Sequence, residues 1–330
     1  MPLKVAIAGV GNVTRQNYLP YLAEQKAVEI GCWNRTAQAA HDAAKRFGGE
    51  VFQDFNELAG WQPDTVLVLT NETARRDIAG ELIRLGVKKM FFEKPLVAAK
   101  GQAHVSESDF EDGKELLALA ERNGCETAMI FNYRFFDQTI AAKRVAEERN
   151  FGEVIHFSGQ IHYACWSHCI DLLHYFAGGL EEVTALAGET IRQGQMIEAA
   201  DLVGAFRLKN GGTGTLIGTA GMKWQHPLFE LVFTFENGRI HLRDIDGTLE
   251  ILDAKGQVHE TRSMVRDTSR WASYDESFKR SLAAYLTSLR EGKAPPIPGI
   301  DGLRELQVEA ALRRSVEMKR PVLLDQEFPI

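Results

Sequence analysis

Leu3-Lys4-Val5-Ala6-Ile7-Ala8-Gly9-Val10-Gly11-Asn12-Val13-Thr14 opens the chain on a short apolar run, breaks at two glycines and passes into helical spacing. A run of this length bounded by a glycine turn reads as a buried strand feeding a helix. Gly9 permits the tight turn. Gly11 lets backbone come close to a pyrophosphate held at the positive end of the following helix. The third small residue of such a turn is Thr14, so helix and strand should pack slightly further apart.

Outward from that turn the same rhythm repeats. Asn12–Gln25 is expected as a helix interrupted at Pro20. Val28–Trp33 follows as a strand, Ala37–Phe47 as an alanine-rich helix, Thr65–Leu69 as a strand, Thr73–Leu85 as a helix and Lys89–Phe92 as a strand. Ser108-Asp109-Phe110-Glu111 has the form of a capping box opening a helix to about Asn123, and Glu126–Phe131 closes the series as a strand. Strands alternating with helices imply a parallel sheet covered on both faces. The expectation is a doubly wound Rossmann domain over residues 1–125.

After about residue 150 the rhythm changes, and residues 126–330 are expected as a second domain. Asp201–Leu208, Thr213–Gly221, Leu228–Phe235, Ile240–Arg243 and Leu249–Leu252 read as strands, joined at Asn210-Gly211-Gly212, Asn237-Gly238 and Asp246-Gly247. Such pairs tolerate the positive φ of tight hairpins. Phe229, Leu231, Phe233 and Phe235 fall on one face. Helices are expected at Phe135–Arg149, Ser167–Phe176, Ser273–Arg290 and Gly302–Met318, the last two joined by the stiff Pro295-Pro296-Ile297-Pro298. This half reads as an α+β domain with a large, mostly antiparallel sheet that binds substrate and, through an exposed sheet face, forms a homo-oligomer.

Composition narrows the function. Hydrophobic residues make up 45% of the 330 and charged residues 25%, ordinary values for a folded protein. The net charge of −7 and the absence of a Lys/Arg run argue against nucleic acid. No apolar run approaches the roughly 20 residues needed to span a bilayer. The N-terminus is too soon interrupted by glycine for a signal peptide. Four scattered cysteines do not make a disulfide framework, and cytoplasm is the default expectation.

Three further stretches carry chemistry. Asn34-Arg35-Thr36 follows the second strand, where an NAD site would place an acid for the ribose hydroxyls. Here Arg35 can stack on adenine or pair with a 2′-phosphate, aided by Thr36; an ordinary polar turn with Thr36 as helix cap is compatible with that reading. The triplet is similar to the phosphate clamp of shikimate-dehydrogenase-type enzymes, and NADP(H) is favoured over NAD(H). Thr70 and Asn71 follow the strand at 65–69, with Asn71 placed to touch a nicotinamide ribose. Glu93-Lys94-Pro95 leaves the strand at 89–92, at the end where open α/β sheets bind ligands.

With Asn132-Tyr133-Arg134-Phe135, His168-Cys169-Ile170-Asp171 and the segment Pro295–Leu324, these motifs resemble, in order and spacing over essentially the whole chain, the glucose–fructose oxidoreductase / inositol dehydrogenase / rhizopine-catabolism (Gfo/Idh/MocA) family. The resemblance implies that Lys94 lies beside the nicotinamide and the reacting oxygen, and that His168 donates or accepts the proton. Removing a hydroxyl proton and stabilising an oxyanion suit those side chains. An ion pair for Lys94 and a satisfied capping histidine for His168 are the structural alternatives. His168 and Asp171, three apart, share a helix face. Many members carry an acid four residues before this histidine. This chain has Ala164 there, with no glycine in His162–Ser167, leaving Tyr163 or His162 as a substitute relay. The cofactor set is Gly9, Gly11, Asn12, Val13, Asn34, Arg35, Thr36, Thr70, Asn71, Glu93 and Lys94; the catalytic set is Lys94, His168, Asp171 and Tyr163.

His162, Cys165, His168, Cys169, Asp171 and His174 also invite a metal reading, but no CxxC or HExxH element accompanies them and none is expected to bind. Arg75 stands where the family often has histidine and reads as a solvated helix residue. Trp224 and His226 are candidates for the substrate cleft. The function expected is an NAD(P)-dependent oxidoreductase for a sugar, cyclitol or related polyol. Alternatives are a catalytically inactive nucleotide-binding regulator or sensor of the same fold, and an NAD-dependent glycosidase.

Overall fold

The computed structural model describes residues 2–223, 227–245, 247–263 and 270–330. These pack into two compact units: Met1–Gly101 with Ser108–Ile130 and Phe278–Leu306, and Gln102–Glu107 with Phe131–Ser277 and Gln307–Ile330. The division is thus not a single cut at 125/126, because late segments return to the first unit.

The first unit is built on β1 (Leu3–Ala8), α1 (Leu19–Glu24), β2 (Val28–Trp33), α2 (Ala37–Phe47), β3 (Glu50–Val51), α3 (Phe55–Gly60), β4 (Thr65–Val68), α4 (Glu72–Arg84), β5 (Lys89–Phe92), α5 (Glu107–Arg122) and β6 (Glu126–Met129). All its strand pairs are parallel and run in the order β3-β2-β1-β4-β5-β6. That is the doubly wound Rossmann order, reversing between β1 and β4. Val5–Ala8, Val66–Val68 and Met90–Phe92 are at most 1% exposed, as a sheet covered on both faces requires.

Several local expectations shift. The helix after the glycine turn starts as a π turn over Thr14–Tyr18, and Pro20 sits within the first two positions of α1, where no N–H is needed. The irregularity therefore precedes the proline. α5 begins at Glu107, so Ser108 lies inside the helix and does not cap it; the Asp109 carboxylate accepts from the Ala99 N–H at 2.7 Å. β3 and α3 escaped the sequence reading because each is too short to show a period.

β6 also explains the late segments. The Met129 N–H donates to the Ile297 carbonyl at 2.9 Å, so the proline-rich stretch lies along the sheet edge rather than serving only as a linker. A Cβ on Gly299 would meet Thr127 at 2.2 Å, and one on Gly302 would meet Met129 at 2.7 Å. Only glycine allows that approach. The Tyr285 hydroxyl is 2.7 Å from that of Thr65, and its ring packs on Phe91.

The second unit contains α6 (Asp137–Glu148), β7 (Val154–His162), α7 (Trp166–Ala177), β8 (Leu180–Gly194), β9 (Ile197–Leu208), β10 (Thr213–Thr219), β11 (Phe229–Phe235), β12 (Gly238–Arg243), β13 (Thr248–Asp253) and β14 (Val258–Ser263). α8 (Arg270–Glu291) and α9 (Gly299–Met318) are divided between the units, and β15 (Val322–Leu323) and α10 (Leu324–Glu327) end the chain. The sheet runs β14-β13-β12-β11-β7-β10-β9-β8-β15, antiparallel except for the β7–β10 pair. Alternation in β11 is as expected, with Phe229, Leu231, Phe233 and Phe235 buried. Each such side chain contributes about 1.5–3 kcal/mol on burial. Leu312 of α9 lies against Gly204, and the Ser315 hydroxyl accepts from Ala185 N–H at 2.9 Å, so the helix covers this face. On the other face, register aligns Ile217, Val203 and Leu186, which are 38%, 39% and 73% exposed.

β7, β8 and β14 went unread because polar outward residues such as His156, Ser158 and Gln160 dilute their apolar pattern. Gly211 and Gly247 take positive φ at their turns. Gly238 does not; a Cβ there would strike the Phe151 ring at 2.5 Å, so close packing explains that glycine. Asp246, Trp224 and His226 lie outside the described residues.

Candidate active site

In the first unit, the C-terminal ends of β1, β2, β4 and β5 bring the expected nucleotide residues together. Gly9 has φ +104°, and a Cβ on it would lie 2.7 Å from Thr70 N and 2.8 Å from Thr70 Cγ2. Its neighbour Gly11 has nothing within 4 Å of where a Cβ would stand. Space above the helix N-terminus is what an approaching pyrophosphate needs. Thr14 is buried and donates from Oγ1 to the Gly9 carbonyl at 2.9 Å, fastening the turn from within.

Asn34 ties the two turns together. Its Oδ1 accepts from Val10 N–H at 2.9 Å and its amide donates to the Thr36 carbonyl at 3.1 Å. Arg35 and Thr36 are exposed beside it. Thr36 holds the N-cap position of α2 without a side-chain capping bond. Asn12 accepts from Arg15 Nη2 at 2.8 Å, and Val13 is 45% exposed. Asn71 holds the N-cap position of α4 and is exposed. The Thr70 hydroxyl is buried with no hydrogen-bond partner among the described residues, a donor held in reserve at the edge of the turn. These features fit a dinucleotide: an open glycine backbone, a helix N-terminus and an unspent hydroxyl beside it.

At the end of β5, Glu93 accepts from the Tyr18 hydroxyl at 2.7 Å through Oε1 and from Lys94 N–H at 3.0 Å through Oε2. Lys94 is half-buried and joined to Pro95 by a cis peptide. Arg75, expected as a solvated helix residue, is 2% exposed. Its guanidinium donates to the carbonyls of Thr70 at 2.7 Å, Glu93 at 2.7 Å and Pro95.

In the second unit, α7 carries His168 and Asp171, both buried. Both Asp171 oxygens accept from Arg134, Oδ2 from Nε at 2.8 Å and Oδ1 from Nη2 at 2.5 Å. The His168 ring stacks on Tyr133, centroids 4.1 Å apart and 10° from parallel, with Phe131 at its edge. The Tyr133 hydroxyl donates to Cys165 Sγ at 3.1 Å, and burial pushes its pKa well above the ordinary value. Tyr163 donates its proton to the Ala200 carbonyl at 2.8 Å, and burial raises its pKa too. His162 Nδ1 accepts from Ala164 N–H at 3.0 Å, closing the short turn before α7; burial draws its pKa down, partly opposed by the Ala220 carbonyl. Among the described residues, no three His, Cys, Asp or Glu side chains converge as a metal set.

Comparison with known proteins fits this geometry. The family model described as an oxidoreductase family with an NAD-binding Rossmann fold matches residues 3–131, and that of the family's C-terminal alpha/beta domain matches residues 143–324. The chain belongs to the Gfo/Idh/MocA oxidoreductase family. Myo-inositol 2-dehydrogenase of Thermotoga maritima is 25% identical over 194 residues, 53% of this chain and 52% of that protein. The chain thus matches about half the length of this relative. The fold is shared with an Agrobacterium radiobacter oxidoreductase solved with NAD+, L-tartaric acid and magnesium (TM-score 0.82, 18% identity, 99% of this chain and 100% of that one). It is shared also with a levoglucosan dehydrogenase solved with NADH and levoglucosan (TM-score 0.81, 17% identity, 98% and 100%). A putative NADPH-dependent oxidoreductase from Desulfitobacterium hafniense has TM-score 0.81 at 14% identity, covering 100% and 99%.

For a Gfo/Idh/MocA chain, the residues missed from sequence are those that brace the others. Tyr18 and Arg75 are single residues inside helices and carry no local signal. Arg134 stood in a quoted motif, but its pairing with Asp171 across 37 positions becomes visible only in three dimensions.

Proposed function

We propose that this Gfo/Idh/MocA oxidoreductase is a dehydrogenase or reductase for a sugar, cyclitol or related polyol, with NADP(H) preferred to NAD(H). The observation that carries the reading is the joining of the Gly9 turn, Thr70 and the Glu93–Lys94 segment at one end of a parallel sheet. Asn34 supports the cofactor preference. It stands at the position of the ribose-binding acid, its side chain is spent on Val10 and Thr36, and it leaves no carboxylate to repel a 2′-phosphate beside Arg35. The polyol class rests on the similarity to inositol and levoglucosan dehydrogenases.

A bound nicotinamide supplies or takes the hydride. Lys94 steadies the substrate oxygen as it gains negative charge, and His168 exchanges its proton. Asp171, paired with Arg134, holds the helix that carries His168, and Tyr163 stands in as the relay for the missing acid. Ala164, where relatives often carry an acid, is the feature that favours the inactive-regulator reading.

The test is reduced-nicotinamide absorbance on mixing the protein with NADP+ or NAD+ and a polyol panel that includes myo-inositol and levoglucosan. Lys94→Ala should lower turnover about 100- to 1000-fold. A Lys94→Ala variant with the parent's kcat would refute the assignment.

A further inference from the structure

Arg75 lies in the first turn of α4 and is fully enclosed. A buried guanidinium is expensive unless its donors are matched; both terminal nitrogens of Arg75 are, while its Nε has no hydrogen-bond partner among the described residues. Here Nη1 reaches the carbonyls of Glu93 at 2.7 Å, Leu96 at 3.5 Å and Pro95, while Nη2 reaches Thr70 at 2.7 Å. Every one of these acceptors is backbone. Desolvation lowers its pKa, and the nearby Glu93 and Glu72 charges oppose that shift and favour the cation.

The choice of acceptors matters. Glu93 precedes Lys94, and Pro95 and Leu96 follow it, so one planar fork grips the chain on both sides of the lysine. The fourth acceptor belongs to Thr70, whose backbone and methyl wall the Gly9 turn. A rigid five-donor fork can hold two backbone segments at once; a compact ammonium or an imidazole cannot reproduce that geometry. The Ala98 N–H also bonds the Glu72 carbonyl, at 3.4 Å, so the whole 93–98 segment is knitted to the start of α4.

We propose that Arg75 is the positioning residue for Lys94, fixing the backbone on either side of it and locking that segment to the Thr70 turn. The inference rests on Lys94 acting at the substrate oxygen. Since misplacing a reacting group by about 1 Å costs up to about 100-fold, the effect is read in kcat.

Two measurements test it. In the first, lysines are reductively methylated with carbon-13 and the Lys94 signal is identified by its loss in Lys94→Arg. Arg75→Gln should move or broaden that signal while leaving other lysines unchanged; an unmoved Lys94 signal overturns the proposal whether or not a substrate is in hand. In the second, Arg75→Gln should lower kcat about 100-fold in the parent but less than about threefold in Lys94→Ala. Equal losses in the two backgrounds overturn it. Should Arg75→Gln fail to fold, Arg75→Lys enters the same cycle, and full rescue by that ammonium would show that charge alone, not the fork, is what the site uses. A protein that turns over no polyol refutes the proposed function, whereas the carbon-13 signal still decides the role of Arg75.

Discussion

Gly9→Ala is expected to destabilise the first unit by about 2–5 kcal/mol and to abolish nucleotide binding. The left-handed backbone at φ +104° costs an L-residue about 1–2 kcal/mol. The added methyl would also stand 2.7 Å from Thr70 N and 2.9 Å from Leu69 C, both main-chain atoms of a buried strand end. Overpacking of that kind costs about 1–3 kcal/mol more. Any relief moves Thr70, and with it the carbonyl that Arg75 holds. Gly11→Ala is the control. It has ordinary φ and open space, so its unfolding midpoint should match the parent while nucleotide affinity falls. Urea unfolding and nucleotide titration on both variants check this; Gly9→Ala with the parent's stability would contradict it.

Asp171→Ala should cost about 3–5 kcal/mol, because it takes a bidentate carboxylate away from a largely enclosed guanidinium. The Asp171 and Arg134 side chains are 1% and 15% exposed, and the pair is bidentate. Arg134 also lies over the Tyr175 ring, 5.0 Å from its centroid, so it cannot swing to solvent without giving up that contact. The same helix carries His168 stacked on Tyr133, adjacent to Arg134 in sequence. Asp171→Asn keeps volume and one acceptor and should lose less. Urea unfolding of the three proteins is the measurement, and an Asp171→Ala variant within about 0.5 kcal/mol of the parent would show that the pair holds nothing.

What the sequence revealed and what it hid follow from the range of each interaction. β1, β2, α2 and β5 were read with their observed limits, because apolar runs and alanine-rich periods are local signals. The glycine turn was legible for the same reason. β7 was hidden by its own outward face, where His156, Ser158 and Gln160 interrupt the apolar residues. The return of 278–306 to the first sheet depends on contacts such as Thr65 with Tyr285, separated by 220 positions. The clearest misreading is Arg75. A charged residue in a helix is usually solvated, and its buried hydrogen bonds come from strand ends about 20 positions away or from a turn carbonyl, which no periodicity reports.

The central claim is tested most directly by titrating NADPH and NADH into the cofactor-stripped protein, followed by energy transfer from its tryptophans. The account predicts saturable binding of both, tighter for NADPH, with the preference lost in Arg35→Ala because the 2′-phosphate loses its guanidinium partner. Binding of neither nucleotide would contradict the oxidoreductase reading. Binding in which NADH is preferred and Arg35→Ala changes nothing would contradict the phosphate clamp.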